Sequence, residues 1–189
     1  MDVYQLWLVR TLASVKVVSP FMHSKWGWPI CETLHFLGLS LLIGIIGMFD
    51  LRLLGVAKRV PIAALHQLVP WGVLGYLLNV VTGAMFLVTE PTQYIYNPAF
   101  HFKMLFMALA GFNMLAFYLT VFRKVEGVGS GHDAPRSAKV IATASLFLWI
   151  GVVVFGRLLT FYRPGPCGIQ LDGFLSASFL PSCLPSVLR

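Results

Sequence analysis

Residues 29–49 read PICETLHFLGLSLLIGIIGMF, and this run decides the fold. A helix that crosses a membrane needs about 20 mostly apolar residues. The run supplies them with Glu32 as its one formal charge. Pro29 suits a first helical turn, where its missing N–H is no loss. Three further stretches, 69–89, 98–122 and 140–162, meet the same test. Asn97 before Pro98 adds a side chain suited to capping a helix start. Trp26, Trp28, Trp71, Tyr94, Tyr96 and Tyr162 fall near the span ends, where amphipathic rings favour the headgroup level.

The whole chain agrees with its opening run. Of 189 residues, 58% are hydrophobic and 11% are charged. Soluble domains average about 45–50% apolar and about 25% charged, so this chain has too few charges to cover a water-facing surface. The fold class expected is all-α: an integral membrane four-helix bundle over 29–163, embedded in a lipid bilayer. Residues 1–28 precede it and residues 164–189 follow as an irregular tail carrying Pro164, Pro166, Pro181 and Pro185. The apolar run 3–19 is interrupted by Arg10 and Lys16 and closed by Pro20. It is too short and too charged to span, and reads as an amphipathic helix lying at the interface.

The net charge of +7 does not point to nucleic acid. Its basic residues lie between the apolar runs and form no continuous face. They give the bundle a direction instead. Arg52, Lys58, Arg59, Arg123, Lys124, Arg136 and Lys139 fall at one end, against Arg10, Lys16, Lys25 and Arg163 at the other. Positive residues stay on the cytoplasmic side, which places both termini outside and makes the glycine-rich stretch 127–131 a flexible cytoplasmic loop. Cys31, Cys167 and Cys183 have neither CxxC spacing nor a disulfide framework. Cys31 aside, Cys167 and Cys183 could pair only where the tail meets an oxidising compartment.

Ionisable residues inside spans are costly and so point to function. Glu32 and His35 share one face of span one, being three residues apart. His101 and Lys103 open span three, and Arg157 nears the end of span four. The topology brings all five toward one membrane surface. Three chemistries suit them. Glu32 and Arg157 can form a structural ion pair between spans one and four. His35 and His101 can supply the two axial nitrogens of a b-type haem, with Lys103 and Arg157 placed for its propionates. Their positions differ by about 9 Å of helix rise, which tilt must absorb. Copper is the third choice, with Met22, His23, Met104 and Met107 as soft ligands beside His35 and His101. No second Glu-x-x-His exists to build a di-iron site. No catalytic nucleophile set and no phosphate-cradling glycine loop is present, which excludes hydrolases and kinases. Small residues stripe the spans, among them Gly38, Gly44 and Gly47, then Gly72, Gly75 and Gly83, then Gly111 and Gly156, and these predict close helix packing. Asn79 and Asn113 are deep amides that need partners, either each other or a backbone carbonyl.

Trp28-Pro29, Glu32-Thr33-Leu34-His35-Phe36 with Gly38, and Asp50-Leu51-Arg52-Leu53-Leu54-Gly55 form a recognisable series. Asn97-Pro98-Ala99-Phe100, Lys103, Ala110-Gly111-Phe112-Asn113 and Gly156-Arg157-Leu158-Leu159 with Tyr162 continue it. The series resembles an uncharacterised family of small bacterial inner-membrane proteins with four core helices. That family is distantly similar to the CopD-like copper-resistance membrane proteins and to membrane-bound b-type cytochromes. The resemblance covers about Trp28 to Tyr162. It implies a bacterial inner membrane, with both termini periplasmic once joined to the charge bias. It also implies haem or copper chemistry, with His35 part of the shared pattern. Electron transfer through a b haem, exchanging with quinone, is the leading expectation. A copper-handling protein and a structural subunit of a larger membrane complex are its alternatives.

Overall fold

A computed structural model describes residues 3–15, 18–161, 164–165 and 168–169. The expectations for Lys16, Tyr162, Arg163, Cys167, Cys183 and nearly all of the tail lie outside the described residues. The order is α1 (Val3–Ala13), α2 (Ser19–Met22), α3 (Gly27–Leu54), α4 (Ile62–His66), α5 (Val69–Thr89), α6 (Pro91–Ile95), α7 (Pro98–Thr120), α8 (Phe122–Val125) and α9 (Arg136–Phe161). Beyond α9, Pro164–Gly165 pairs antiparallel with Gly168–Ile169. Four helices are long and apolar enough to cross a membrane: α3, α5 continued from α4, α7 and α9.

α3, and α9 at its start, outrun the apolar stretches that announce them, while α5 matches 69–89 and α7 stops at Thr120, short of 122. α3 continues five residues past Phe49 and stops where Gly55 takes φ 96°. There the Gly55 N–H donates to the Arg52 carbonyl at 3.1 Å and the Val56 N–H to the Leu51 carbonyl at 3.0 Å. This is the Schellman closure, which glycine makes without a Cβ clash. α9 starts at Arg136, ahead of the expected 140, because Ala138 and Lys139 already donate to the Pro135 carbonyl. Hydropathy marks the hydrocarbon thickness, whereas a helix runs on until its backbone is capped. At the start of α7 the two coincide: the Asn97 side chain accepts from the Ala99 N–H at 3.0 Å.

α3 packs on α5 and α7 on α9, so consecutive spans form two antiparallel hairpins, and α3 against α9 joins them. α1 rests on α6 and the end of α5, at the level where the spans begin and end. Glycines set the closest approaches. A Cβ added at Gly38 would lie 2.7 Å from Asn79 Nδ2 and 2.9 Å from the Gly75 carbonyl, and one added at Gly75 would lie 2.7 Å from the Gly38 carbonyl. In the other hairpin the Phe106 ring lies where a Gly151 Cβ would be. Gly44, Gly47 and Gly111 have nothing within 4 Å; they belong to the outer surface, not the seams. Both deep amides take backbone partners, Asn79 the Gly75 carbonyl at 2.9 Å and Asn113 the Ile141 carbonyl at 3.1 Å. Leu77, Phe112 and Ile150 are each more than half exposed. Water would not tolerate such a girdle, but acyl chains do.

The end of the bundle that holds Arg52 is knotted together by polar contacts. Arg52 is fully buried. Its Nε donates to the Val60 carbonyl, and its Nη2 to the carbonyls of Gly129 at 3.2 Å and His132 at 3.3 Å. The Gly131 N–H donates to the Lys58 carbonyl at 2.8 Å, and Ser130 Oγ to the Arg59 carbonyl at 2.7 Å. Residues 127–131 are therefore pinned to the loop after α3, where their glycine content suggested a flexible segment. Asp133 bridges Lys58 at 3.0 Å and Lys139 at 3.3 Å, and hydrogen bonds from these two ammonium groups hold its carboxyl below the usual range.

Two outcomes follow from this packing. Gly75→Leu should cost about 1–3 kcal/mol by overpacking, lowering the unfolding temperature in detergent. Gly44→Ala, with open space around it, should leave that temperature unchanged or higher. Because the Asp133 carboxyl is depressed, its bridge is intact above the free-carboxylate value of about 3.9 and is lost as pH falls through the folded value. The Gly131 amide resonance should therefore shift with a midpoint below that value. Asp133→Asn should abolish the titration.

Candidate functional site

The seam closed by Gly38 and Gly75 continues toward the Asn97 end of the bundle, and the polar site begins there. One turn before Gly38, His35 reaches across to α5. Its Nδ1 lies 2.7 Å from Thr82 Oγ1, and its ring meets Phe86 edge-on at 5.8 Å. Trp28 covers the other side of Phe86 at 4.9 Å. A turn further back, the buried Cys31 thiol points at the Thr82 carbonyl, 3.6 Å away. Thr82 is 2% exposed, and its hydroxyl also contacts the Leu78 carbonyl at 2.7 Å. A Cβ added at Gly83 would meet His35 Cε1 alone, at 3.7 Å, so α5 leaves space beside the imidazole.

Lys103 enters from α7. Its methylenes lie 3.8–3.9 Å from where a Gly156 Cβ would stand, which lets the chain run inward along α9. The ammonium lies within electrostatic reach of His35. Both residues are half-buried. Lys103 has neither a hydrogen bond nor an ion pair among the described residues. The site is thus an imidazole anchored by a hydroxyl, a lysine, and two glycines against which these side chains lie.

The other three candidates sit at the same end but face elsewhere. His101 is exposed, and its Nε2 donates to the Ile95 carbonyl at 2.9 Å. That bond leaves Nδ1 as the His101 nitrogen able to ligate a metal. Glu32 is exposed on α3, and the Arg157 guanidinium lies over the Phe161 ring at 5.1 Å. The ion pairs among the described residues are those of Asp133, so the structure does not join Glu32 to Arg157. The soft side chains are dispersed. Met22 packs with Cys31 and Phe86, His23 Nδ1 lies 2.9 Å from the Ser19 carbonyl, and Met104 is exposed on α7. Among the described residues no three of His, Cys, Asp and Glu gather as a metal site.

Sequence reading missed Thr82 and treated Gly83 and Gly156 as packing alone. The available signal was the stripe Asn79–Gly83–Phe86, which turns the same side of α5 toward span one.

Residues 27–162 match a family of unknown function, DUF6644. The chain belongs to that family. The DUF6644 match contains the four spans and all of His35, Thr82, Lys103, Glu32, His101 and Arg157, while α1 and α2 precede it. No curated protein and no solved structure matches the chain, so the wider likeness to copper-resistance proteins and b-type cytochromes gains no support from them.

A double-mutant cycle tests the dispersal directly. Glu32→Gln and Arg157→Gln should show a coupling energy within about 0.5 kcal/mol of zero in thermal unfolding, as for unconnected sites.

Proposed function

We propose that this DUF6644 member is a bacterial inner-membrane protein with both termini periplasmic, and that it binds the head of a lipid-soluble quinone between its spans in the service of electron transport. The observation that carries this reading is His35 at the end of the α3–α5 seam, hydrogen-bonded to Thr82 beside Phe86, with the Lys103 ammonium of α7 within electrostatic reach. A quinone head is a flat apolar ring with oxygen at its edge. Lys103 is a donor suited to that oxygen, and Phe86 and Trp28 offer aromatic surface beside His35. Ligand sites commonly combine such apolar walls with a few convergent polar groups. The orientation is supported by Lys58, Arg59, Arg123, Lys124, Arg136 and Lys139 at the Arg52 end.

A second reading, a b-type haem, is favoured by one feature of His35. Anchoring through Nδ1 leaves Nε2 as the nitrogen able to ligate, the usual arrangement for a metal-bound histidine. His101 is the second ligand in that reading, with Lys103 and Arg157 near the propionates. A bound haem would supply one-electron chemistry in the membrane.

The test uses the protein in lipid nanodiscs, titrated by calorimetry with a short-chain quinone in oxidised and reduced forms. A hydrogen bond to a charged group contributes about 1.5–3 kcal/mol, so Lys103→Met should weaken binding of both forms about tenfold or more. Binding that is absent, or indifferent to Lys103, sinks the quinone reading. An absorbance spectrum, oxidised and dithionite-reduced, addresses haem: a Soret band lost in His35→Ala would favour it. If both fail and a fixed partner co-purifies, a subunit role in a larger complex replaces them.

A further inference from the structure

His35 has two ring nitrogens, and which one carries the proton determines what the site can bind. The hydrogen bonds around Thr82 decide it. A threonine hydroxyl has one proton to donate and two lone pairs to accept with. Thr82 Oγ1 lies 2.7 Å from the Leu78 carbonyl. Two oxygens that close without a proton between them would set lone pair against lone pair, so the hydroxyl proton points to Leu78. Thr82 Oγ1 also lies 2.7 Å from His35 Nδ1. With its proton already donated, the hydroxyl can only accept there, and Nδ1 must be the donor. Neutral His35 therefore carries its proton on Nδ1 and presents a lone pair at Nε2.

We infer that Thr82 is the specificity-determining residue of the site: by holding His35 as an acceptor at Nε2, it makes the site select the reduced, hydroxyl-bearing form of its ring ligand over the oxidised form. The inference rests on the quinone reading for its ligand, but its tautomer step stands on the ligand-free protein. A quinol presents O–H donors, one of which can be given to His35 Nε2 while Lys103 donates to a ring oxygen. A quinone presents only carbonyl acceptors, so Lys103 can serve it but His35 Nε2 faces it lone pair to lone pair. Sites built around one hydrogen-bond polarity discriminate strongly against ligands of the other. Thr82 touches no ligand in this account. It acts through His35, and its near-complete burial shields the hydroxyl from water that could offer an alternative partner.

Two measurements test this, and they fail separately. In nanodiscs, nitrogen-15 NMR of labelled histidine, with His35 assigned by its loss in His35→Gln, reads the tautomer without any ligand. The expected signature is protonated Nδ1 and unprotonated Nε2. A signal showing the proton on Nε2 in the wild-type protein overturns the inference, whatever the protein binds. Thr82→Val should mix the tautomers or reverse them, and Thr82→Ser, which keeps the hydroxyl, should restore the wild-type signature. Calorimetry with short-chain ubiquinol and ubiquinone under anaerobic conditions then reads the preference. The wild-type protein should favour quinol by about tenfold or more, the scale of one hydrogen bond. Thr82→Val should bring the ratio toward one, and Thr82→Ser should recover it. An unchanged ratio in folded Thr82→Val overturns the assignment of Thr82. Should neither form bind the wild-type protein, the quinone reading fails and the selection inferred for it fails too, while the NMR result still decides the tautomer. If Thr82→Val does not fold, Thr82→Ala, which also lacks the hydroxyl, takes its place in both measurements, with the same outcomes expected and the same outcomes overturning the inference.

Discussion

Between Gly38 and Gly75 the backbones of α3 and α5 come so near that a single added carbon on either would meet the carbonyl of the other at less than 3 Å. In lipid there is no hydrophobic drive pressing apolar helices together, so association depends on how closely backbones can pack. This contact is therefore the source of the first hairpin's geometry. From it follows the placement of residues one turn away. His35 reaches a hydroxyl on α5 that a wider spacing would leave out of range, Cys31 comes against the Thr82 carbonyl, and Trp28 and Phe86 close the end of the seam. The second hairpin reaches a similar end by another device, seating the Phe106 ring against the bare backbone of Gly151.

The two ends of the bundle use polar groups differently. At the Arg52 end a buried cation donates through Nε and Nη2 to carbonyls from two loops that lie far apart in sequence. Carbonyls stabilise it without a second charge, and the arrangement suits a helix C-terminus, where the macrodipole favours a cation. The exposed Asp133 bridges add a weaker, salt-sensitive tie across the same loops. This end locks loop to loop and fixes where both hairpins turn. At the Asn97 end α7 is capped locally, the Asn97 side chain accepting from the Ala99 N–H, and the polar side chains that follow are less fully engaged.

Much of the fold was legible because hydropathy and helix caps are written in local sequence. The four spans and the Asn97 cap belong to that class; that Asn79 and Asn113 need partners was also legible, but not that each takes a backbone carbonyl and neither takes the other. The Arg52 cage was not legible, since its partners are the backbone carbonyls of Val60, Gly129 and His132, and a carbonyl carries no residue signature. For the site, sequence gave depth but not direction around each helix. Glu32, His35, His101, Lys103 and Arg157 share a level, as their positions along α3, α7 and α9 require. His35 turns to Thr82 on α5, and Lys103 runs along Gly156 of α9 within electrostatic reach of His35. His101 is drawn instead to the Ile95 carbonyl of the short α6 connection, and Arg157 to the ring one turn ahead of it. Thr82 was hidden because a threonine bonding the carbonyl four residues back is ordinary in any helix. Its meaning appears only when an imidazole arrives on the other lone pair.

Unused hydrogen-bonding capacity occurs at both ends, and access separates its meaning. Asp50 Oδ2 and Arg52 Nη1 lack partners, yet Asp50 is 5% exposed and Arg52 fully buried. No ligand reaches either without opening the core around Phe49, Leu53 and Ala138. His35 and Lys103 are each half-buried, bordered by glycines, and set where the hairpins diverge, since α5 and α7 are not among the closely packed pairs. Polar capacity sealed inside a packed end can contribute only to holding that end together. At the Asn97 end the same capacity is half-buried rather than sealed, with His35 Nδ1 engaged by Thr82. The Asn97 end therefore keeps its polar groups less engaged, and the opposite end is the one locked loop to loop.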